Sequence, residues 1–380
     1  MNSSSENPRI GVWLIGARGA VATCVAYGLA GLREGLLEPV AVTTEHEPLA
    51  GLPLVELDDI ELAGWDVTRR SLTDAAGELV RAGILDDAEV GVGDVDPDAA
   101  RLGTLPPREQ VEALRADLAA FARDGGLDRV IVVNLASTEP LYGDREEWND
   151  LASFEAALDS GRSLPPSVVY AYAAIGAGHP FVNFTPSRGA SIPALAELAL
   201  QQGVPHCGND GKTGETLLKT VLAPMFRARA LRVLAWQGYN MLGNRDGEVL
   251  ADPLHKEAKV RGKDAALRTI LDDEDVHTHV GIDYVPSLHD WKTAWDFVHF
   301  EGFLGTKMSL QFTWSGCDSA LAAPLVIDLV RLVDFAARNG EKGVLPHLSC
   351  YFKDPLSGGA RDFHLQHRKL LEYAERHAAH

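Results

Sequence analysis

Apolar positions along the chain fall into short runs that are separated by longer segments rich in small residues. The runs are predicted strands, and they lie at residues 10–15, 40–44 and 130–135. The longer segments contain predicted helices, the clearest at about 20–31, 167–178 and 324–339. Uninterrupted apolar strands are typical of a parallel sheet that is covered on both faces. Strands that alternate with helices in this way predict an α/β fold with a Rossmann-like, doubly wound sheet.

The pattern changes near residue 217 and changes back near residue 322. Residues 230–243 and 307–316 alternate apolar with polar side chains and contain several aromatic residues. Such alternation predicts strands of a sheet that has one covered face. We therefore expect a second, inserted domain between the two parts of the doubly wound domain.

The overall charge narrows the possible partners. The chain has 380 residues, is 46% hydrophobic and has a formal net charge of −19. This charge disfavours nucleic acid and anionic membranes as partners, because both are polyanionic. The four cysteines form no CxxC pair, so we predict no metal site and no disulfide framework. No apolar run reaches the roughly 20 residues that a membrane-spanning helix needs, and we expect a soluble cytoplasmic protein.

The first predicted strand runs into a glycine-containing turn, and a helix of small residues follows. In dinucleotide-binding folds such a turn lets the backbone approach a pyrophosphate, which the amino end of the helix then binds. Glu45 is the only carboxylate after the second predicted strand, where a ribose-binding acid is usual. From the turn alone, a tight turn that only packs helix against strand is equally open. The candidate cofactor-binding residues of the turn are Gly16, Ala17, Arg18, Gly19, Ala20 and Val21.

Two further stretches combine glycines with polar side chains. Residues 208–216 (GNDGKTGET) precede a predicted helix, and their glycines bracket Asp210, Lys212 and Thr213. Residues 239–247 (YNMLGNRDG) form the second stretch. Free backbone N–H groups and polar side chains converge in such turns, which is typical of a ligand site.

Lysines follow the second stretch. Lys259 and Lys263 lie one helical turn apart, on one face of a helix. A solvated basic face explains such a pair on spacing alone, and a site for an anion is the alternative.

These blocks occur in an order that resembles the myo-inositol-1-phosphate synthase family, also called the inositol-3-phosphate synthase family. The resemblance extends over most of the chain. The blocks that carry it are residues 208–216, 239–247, 256–264 (KEAKVRGKD), 317–330 (CDSALAAPLVIDLV) and 348–359 (LSCYFKDPLSGG).

The resemblance implies an enzyme that cyclises D-glucose 6-phosphate to 1D-myo-inositol 3-phosphate and uses NAD as its cofactor. In such enzymes the C5 hydroxyl is oxidised, the neighbouring C6 is enolised, and C6 attacks the C1 aldehyde. The new ring ketone is then reduced by the same cofactor, so no net redox change occurs. Each step places negative charge on oxygen, and the substrate also has a phosphate. Preorganised ammonium groups would stabilise both.

The resemblance assigns the catalytic roles to Lys259, Lys263, Lys292 and Lys353. Lys353 is expected to exchange the proton at the oxygen that is oxidised. Lys259 and Lys292 are expected to stabilise the developing oxyanions, and Lys263 to bind the phosphate or the second oxygen. Lysines that lie close together should lower one another's pKa, so that one of them can transfer protons.

The resemblance also implies contacts to the cofactor and the substrate. Besides the glycine turn, the expected cofactor-binding residues are Asp66, Ala136, Ser137, Thr138, Asp210, Thr213, Asn244, Asp246 and Asp318. The expected substrate-binding residues are Asn183, Asn240, Lys212 and Asp290. Two of these carboxylates, Asp290 and Asp318, are also expected to orient the lysines. Without the resemblance, each of the carboxylates could equally be a turn residue or an ion-pair partner.

The chain departs from eukaryotic members of this family in its loops. Arg18 and Ala22 replace glycines of the turn, Ser137 replaces an asparagine, and the segment around Asn183 differs. Because loops set specificity, these changes leave the sugar and the choice between NAD and NADP open. A related cyclase that forms a five-membered ring from a ketose phosphate, such as fructose 6-phosphate, is one alternative. A plain NAD dehydrogenase and a non-catalytic NAD-binding regulatory protein are alternatives from other classes.

The architecture implied by the resemblance agrees with the change of pattern near residues 217 and 322. A discontinuous NAD-binding domain is expected at 8–216 and 322–380. The inserted α+β domain, 217–321, would contain most of the lysines and a sheet that joins subunits. Family members are commonly tetramers, so we expect a homotetramer.

Overall fold

The computed structural model describes residues 8–86, 99–140, 142–244, 247, 267–273 and 275–378. Strands and helices alternate along most of this length. The strands are β1 Ile10–Ile15, β2 Ile60–Trp65, β3 Arg129–Asn134, β4 Phe181–Asn183, β5 Pro205–Cys207, β6 Arg232–Leu242, β7 His277–Tyr284, β8 Trp291–Glu301, β9 Lys307–Cys317 and β10 Gly343–Val344. The helices are α1 Ala20–Arg33, α2 Leu72–Arg81, α3 Pro107–Gly125, α4 Leu151–Asp159, α5 Pro166–Gly176, α6 Pro193–Gln202, α7 Glu215–Ala228, α8 Asp318–Arg338 and α9 Phe363–His377.

The strands form two sheets. The first has the order β10-β5-β4-β3-β1-β2, and all of its pairs are parallel. The second has the order β7-β6-β8-β9, in which β7 is parallel to β6 and the other two pairs are antiparallel. The strands of the second sheet all lie between residues 232 and 317, inside the segment where the sequence pattern changes.

Apolar side chains cover both faces of the parallel sheet. Along β1, Val12 and Leu14 point into a core formed with α1 and α8, whereas Trp13 and Ile15 point into a core formed with α3 and α5. Alternate residues of a strand face opposite sides of a sheet. Two separate cores on one sheet therefore require helices on both faces, which confirms the predicted doubly wound fold.

Several helix ends agree with simple local signals. Ser71 and Asp74 form a reciprocal capping box at the start of α2. The helices α3 and α6 are followed by Gly126 and Gly203, both in the left-handed region that favours glycine. Asp362 accepts hydrogen bonds from two backbone N–H groups at the start of α9. These local contacts fix where the helices begin and end.

The predicted strand at 40–44 is wrong. Its last residues belong to a short 3₁₀ turn, Thr43–Glu45, and β1 pairs with β2 and β3 instead. The backbone N–H groups of Thr43 and Thr44 donate to the carboxylate of Asp328 on α8, at 3.0 and 2.8 Å, and their hydroxyls donate to the same carboxylate. The buried Asp328 carboxylate thus accepts four hydrogen bonds. Two of them come from backbone N–H groups that would otherwise have paired with a neighbouring strand.

The other strand and helix predictions are confirmed to within a few residues, except that α8 begins six residues before the predicted start at 324. The strands β7 and β8, and β2, were not predicted. None of the helices in the described ranges is long and apolar enough to cross a membrane.

Candidate active site

The glycine turn lies between β1 and α1, and its shape depends on Gly16. The φ angle of Gly16 is +83°, and a Cβ atom there would lie 3.0 Å from the Cα of Ala136 and 3.1 Å from the carbonyl oxygen of Leu135. Only glycine fits this close approach. The first turn of α1 contains no acidic residue, so no carboxylate of its own offsets the positive end of the helix dipole. A backbone cradle of this kind suits a pyrophosphate.

Asp66 directly follows β2 and holds the turn in place. One of its oxygens, Oδ2, accepts from the backbone N–H of Arg18 at 2.8 Å, and Oδ1 accepts from the backbone and hydroxyl of Thr68. The guanidinium of Arg70 donates to the carbonyl oxygen of Arg18. Because β2 is the true neighbour of β1, Asp66 lies where dinucleotide folds place the ribose-binding acid.

Glu45, the only carboxylate after the predicted strand at 40–44, does not occupy that position. It forms an ion pair with the buried Arg331 on α8. It is the last residue of the 3₁₀ turn, which belongs to no sheet, so it does not lie at the carboxyl end of a strand beside β1.

The ends of β3 and β4 form a buried amide network. Asn134 donates to Asn183 at 3.0 Å, and Asn183 donates to the carbonyl oxygen of Ser187 at 2.6 Å and to Asn209 at 2.9 Å. Asn183 is fully buried, and its carbonyl oxygen also accepts from Thr185. Its described contacts all lie within the protein, where they join the two loops. Its predicted contact with the substrate stays a prediction.

The three candidate cofactor residues after β3 lie beside the glycine turn. The backbone N–H of Ala136 donates to the side chain of Asn134 at 3.2 Å. Ala136 is half-buried, Ser137 is exposed and Thr138 is buried. Since the ends of β1 and β3 are adjacent, Ala136 and Gly16 come into contact, and a ligand over the turn would meet this segment.

A backbone ladder brings Asp210 and Lys353 together across 143 residues of sequence. The N–H of Lys353 donates to the carbonyl oxygen of Asp210 at 2.7 Å, and the N–H of Lys212 donates to the carbonyl oxygen of Tyr351 at 2.8 Å. A Cβ atom on Gly211 would lie 2.0 Å from the ring of Phe184, so this loop needs glycine there. As a result, the Lys353 ammonium lies 2.8 Å from Oδ1 of Asp210.

The second lysine of the site is on β8. The ammonium of Lys292 lies 3.4 Å from Oδ2 of Asp318, the first residue of α8. The hydroxyl of Thr213 donates to Oδ1 of the same carboxylate at 3.3 Å. Lys292 is buried, so its charge is largely removed from water and is only weakly screened.

Both lysines line one pocket, which contains about 370 Å³ of space including its open mouth. Sequence analysis had named five of its described lining residues: Thr213, Asn240, Lys292, Asp318 and Lys353. The pocket therefore brings together candidates that are spread over 141 positions of the chain, from 213 to 353.

Sequence analysis missed the other described lining residues, which are Gly214, Glu215, Thr216, Leu242 and Ile282. The hydroxyl of Thr216 is buried and has no hydrogen-bond partner in the part of the chain that the structure describes. The first turn of α7 opens into the pocket at these residues. The glycine-rich block before α7 was the available signal, since such a turn often precedes a ligand-binding helix end.

Besides Asn183, two more predicted substrate-binding residues, Asp290 and Lys212, lie outside the set that lines the pocket. Asp290 accepts from the thiol of Cys317 at 2.9 Å, and burial raises the pKa of its carboxyl, which hydrogen bonds from Cys317 and Ser319 partly oppose. Lys212 is buried and donates to the side-chain amide of Gln366 at 2.6 Å. Their direct contact with the substrate stays a prediction.

Burial lowers the pKa of Lys212 to about 8, and the positive charges of Arg361 and Lys353 add to this effect. The repulsion from Lys353 is therefore smaller than the effect of burial on Lys212.

Lys259, Lys263 and Asp246 lie outside the described residues. Asn244 is described, and its side-chain oxygen accepts from the backbone N–H of Gly247 at 2.9 Å. This bond closes the turn that follows β6.

The fold and the sequence are both similar to proteins of one family. A family model described as myo-inositol-1-phosphate synthase matches residues 96–374. The inositol-3-phosphate synthase 1 of Bacteroides thetaiotaomicron is 36% identical over 384 residues, which cover 92% of this chain and 90% of that protein.

Two crystal structures share the fold. The inositol-3-phosphate synthase of Caenorhabditis elegans superposes with a TM-score of 0.86 at 22% identity, over 98% of this chain and 86% of that chain. A myo-inositol-1-phosphate synthase-related protein of Thermotoga maritima gives 0.76 at 23% identity, over 96% and 98%. With the family model and the sequence identity above, the chain belongs to the myo-inositol-1-phosphate synthase family.

Proposed function

We propose that this protein is an inositol-3-phosphate synthase that converts D-glucose 6-phosphate to 1D-myo-inositol 3-phosphate, without net redox change. The observation that carries the proposal is the meeting of Lys292 and Lys353 in one pocket, together with Thr213, Asn240 and Asp318. Convergent ammonium groups are what an intramolecular aldol closure needs, since oxyanions develop at two positions of the substrate.

The residues around the glycine turn fit NAD. Gly16 leaves room that a Cβ atom would fill, the first turn of α1 contains no acidic residue, and Asp66 follows the strand beside β1. These residues would hold the pyrophosphate and the adjoining ribose. Bound there, NAD would supply a hydride acceptor for the oxidation and, once reduced, the hydride donor for the final reduction.

The lysines supply the acid–base chemistry in this proposal. In its neutral amine form Lys353 takes the proton of the C5 hydroxyl during oxidation, and as the ammonium it returns this proton on reduction. Asp210 holds its amino group in place at 2.8 Å. Lys292, held by Asp318, stabilises the oxyanion that forms on the opposite side of the pocket. The proposed roles of Lys259 and Lys263 rest on the sequence resemblance.

The amino end of α7 is the proposed site for the substrate phosphate. Thr213 precedes this helix, and the buried Thr216 hydroxyl, without a partner in the described ranges, lines the pocket beside it. Free N–H groups at the helix end and a hydroxyl together make a site for a dianion.

The direct test is to incubate the protein with NAD and glucose 6-phosphate, and separately with fructose 6-phosphate. Glucose 6-phosphate should yield an inositol phosphate, identified by NMR, while the absorbance at 340 nm stays nearly constant. Stoichiometric NADH release would instead indicate a dehydrogenase, and a product from fructose 6-phosphate alone would indicate a five-membered ring.

The lysine variants test the site itself. Lys353→Met and Lys292→Met should each lower kcat by about 10²- to 10⁴-fold, as loss of acid–base or oxyanion stabilisation does, while the affinity for NAD is retained. Lys342→Met, at an exposed lysine outside the pocket, is the matched control and should leave kcat unchanged. Full activity of Lys353→Met would remove this residue from the scheme.

We also propose that the chain has a discontinuous NAD-binding domain, 8–216 and 322–380, and an inserted domain, 217–321, through which four copies assemble. The grouping of the strands into two sheets supports these bounds. The outer face of the second sheet supports the assembly, because Tyr239, Trp295 and Phe297 form an aromatic row there, with ring centroids 5.9 and 6.4 Å apart. The four free, buried cysteines support a location in the reducing cytoplasm.

A further inference from the structure

Three charged side chains are buried together beside the pocket. The ammonium of Lys219 lies 2.6 Å from Oε1 of Glu215 and 3.3 Å from Oδ1 of Asp296. The Glu215 and Asp296 side chains are 0% exposed and that of Lys219 is 5% exposed. The indole N–H of Trp236 also donates to Asp296, at 2.7 Å. We refer to Glu215, Lys219 and Asp296 as the Glu215 triad.

The room for the triad comes from a glycine on β6. A Cβ atom on Gly238 would lie 2.7 Å from Oε1 of Glu215, 2.8 Å from Nζ of Lys219 and 3.0 Å from Oδ1 of Asp296. No larger residue fits without moving charged atoms that have no water to replace their contacts. The triad is thus a defined packing arrangement of α7, β6 and β8.

The triad connects the two walls of the pocket. Glu215 is the first residue of α7 and lines the pocket beside Thr216. Asp296 lies four residues after Lys292 on β8, and the alternating burial of this strand places both side chains on the same face. The contact between Lys219 and both carboxylates therefore joins the proposed phosphate end of the pocket to the strand of Lys292.

The charges of the triad matter for a phosphate. Glu215 is a carboxylate in the first turn of the helix whose amino end is the proposed phosphate site. An uncompensated carboxylate there would repel a dianion over a short, poorly screened distance. Lys219 compensates it at 2.6 Å and also contacts Asp296 at 3.3 Å. Burial raises the pKa of the Asp296 carboxyl, and the Lys219 charge opposes this shift.

We propose that Lys219 is a positioning residue that holds the Glu215 carboxylate against Gly238 and Asp296, so that only hydrogen-bond donors of α7 face the substrate phosphate. This inference rests on the proposed function, and it concerns the affinity for the phosphate group. Lys219 itself takes part in no chemical step.

Three variants distinguish an effect of where the Glu215 carboxylate lies from an effect of the net charge of the triad. In Lys219→Met, the KM for glucose 6-phosphate and the inhibition constant of inorganic phosphate should each rise by about tenfold or more, as expected when a buried carboxylate loses its partner beside an anion site. The kcat and the affinity for NAD should change much less. Adding Glu215→Gln to Lys219→Met should restore both constants to within about threefold, whereas adding Asp296→Asn should not, although the two double variants have the same net charge.

Equal rescue by both double variants, rescue by neither, or an unchanged KM in Lys219→Met would each overturn the proposal. If Lys219→Met does not fold, the single variant Glu215→Gln tests the proposal, because it keeps the ion pair of Lys219 with Asp296. The KM should then be equal or lower; a clear rise would mean that the Glu215 carboxylate itself binds the substrate, and would overturn the proposal.

A matched control separates positioning from general loss of stability. Asp334 is also fully buried, and it forms ion pairs with Arg129 and Arg338 away from the pocket. Asp334→Asn should lower Tm without raising KM. If the wild-type protein makes no inositol phosphate, the proposed function fails. The triad can still be tested, because isothermal titration calorimetry measures the affinity of the NAD-bound wild-type and variant proteins for inorganic phosphate.

Discussion

At the scale of single residues, the site depends on how each ammonium group is held. Lys353 reaches Asp210 because the backbone of the two loops is paired, and the ion pair joins the side chains of two paired residues. Lys292 is held in the same manner by Asp318, which Thr213 also contacts. Each lysine thus has its own carboxylate, and each carboxylate is fixed by a separate element. This arrangement favours groups that are oriented before the substrate binds.

Asp210→Asn tests this orientation. The amide keeps the shape but loses the charge that holds the Lys353 ammonium at 2.8 Å, so kcat should fall by about tenfold to a hundredfold, the range caused by small misplacements of catalytic groups. The KM should change little. Asp354→Asn, in which the exposed pair with Arg361 is lost, is the neighbouring control and should retain wild-type kcat. A wild-type kcat in Asp210→Asn would show that the pair does not position Lys353.

At the scale of elements, the central sheet buries a titratable group that the chemistry does not use. His206 lies on β5 between β4 and β10, and neither of its ring nitrogens has a hydrogen-bond partner in the described part of the chain. Burial lowers the pKa of this imidazole from 6.5 to about 4. The unfolded chain therefore takes up a proton at His206 in a pH range where the folded protein does not.

The difference between the folded and unfolded pKa of His206 determines how the free energy of unfolding changes with pH. Because the folded-state pKa is lowered, the free energy of unfolding falls as the pH drops from about 6.5 towards 4, by up to about 3 kcal/mol from this group. His206→Leu removes this loss, so its stability relative to wild type should increase between pH 7.5 and pH 4.5, measured by urea unfolding. His277→Leu, at an exposed histidine, should show no such trend. A constant difference between His206→Leu and wild type at both pH values would contradict the prediction.

At the scale of the whole molecule, the second sheet has one face against the rest of the protein and one face with an aromatic row. Besides Tyr239, Trp295 and Phe297, the turn after β8 exposes Phe303 and Leu304, at 90% and 85%. Exposed apolar surface of this kind is typical of an interface. Assembly through this sheet would leave Lys292 on the opposite, buried face of β8.

Trp295→Glu tests the assembly. The wild-type protein should have the mass of a tetramer by light scattering coupled to size-exclusion chromatography, whereas a buried, unpaired carboxylate at the interface should shift the variant towards smaller species. Val40→Glu changes an exposed apolar residue far from this sheet in sequence and should leave the mass unchanged. A tetrameric Trp295→Glu protein would place the interface elsewhere.

The sequence by itself determined the features that depend on local chemistry. The glycine turn, the buried strands β1 and β3, the long helix α8 and the alternating strands β6 and β9 all follow from residue types a few positions apart. The block around Lys353 likewise carries the family resemblance in the residues themselves. These predictions agree with the structure because they depend on backbone preferences and burial patterns of neighbouring residues, and not on residues far away in the sequence.

Only the tertiary structure decided which distant groups meet. The neighbour of β1 is β2 and not residues 40–44, because Asp328 takes the hydrogen bonds of Thr43 and Thr44. The Asp210–Lys353 pair and the Glu215 triad depend on strand register and on glycines that leave room for other elements. Such contacts join residues that are up to 285 positions apart. Buried charges need partners to offset their desolvation, and the partners meet only in one particular packing, which no local pattern encodes.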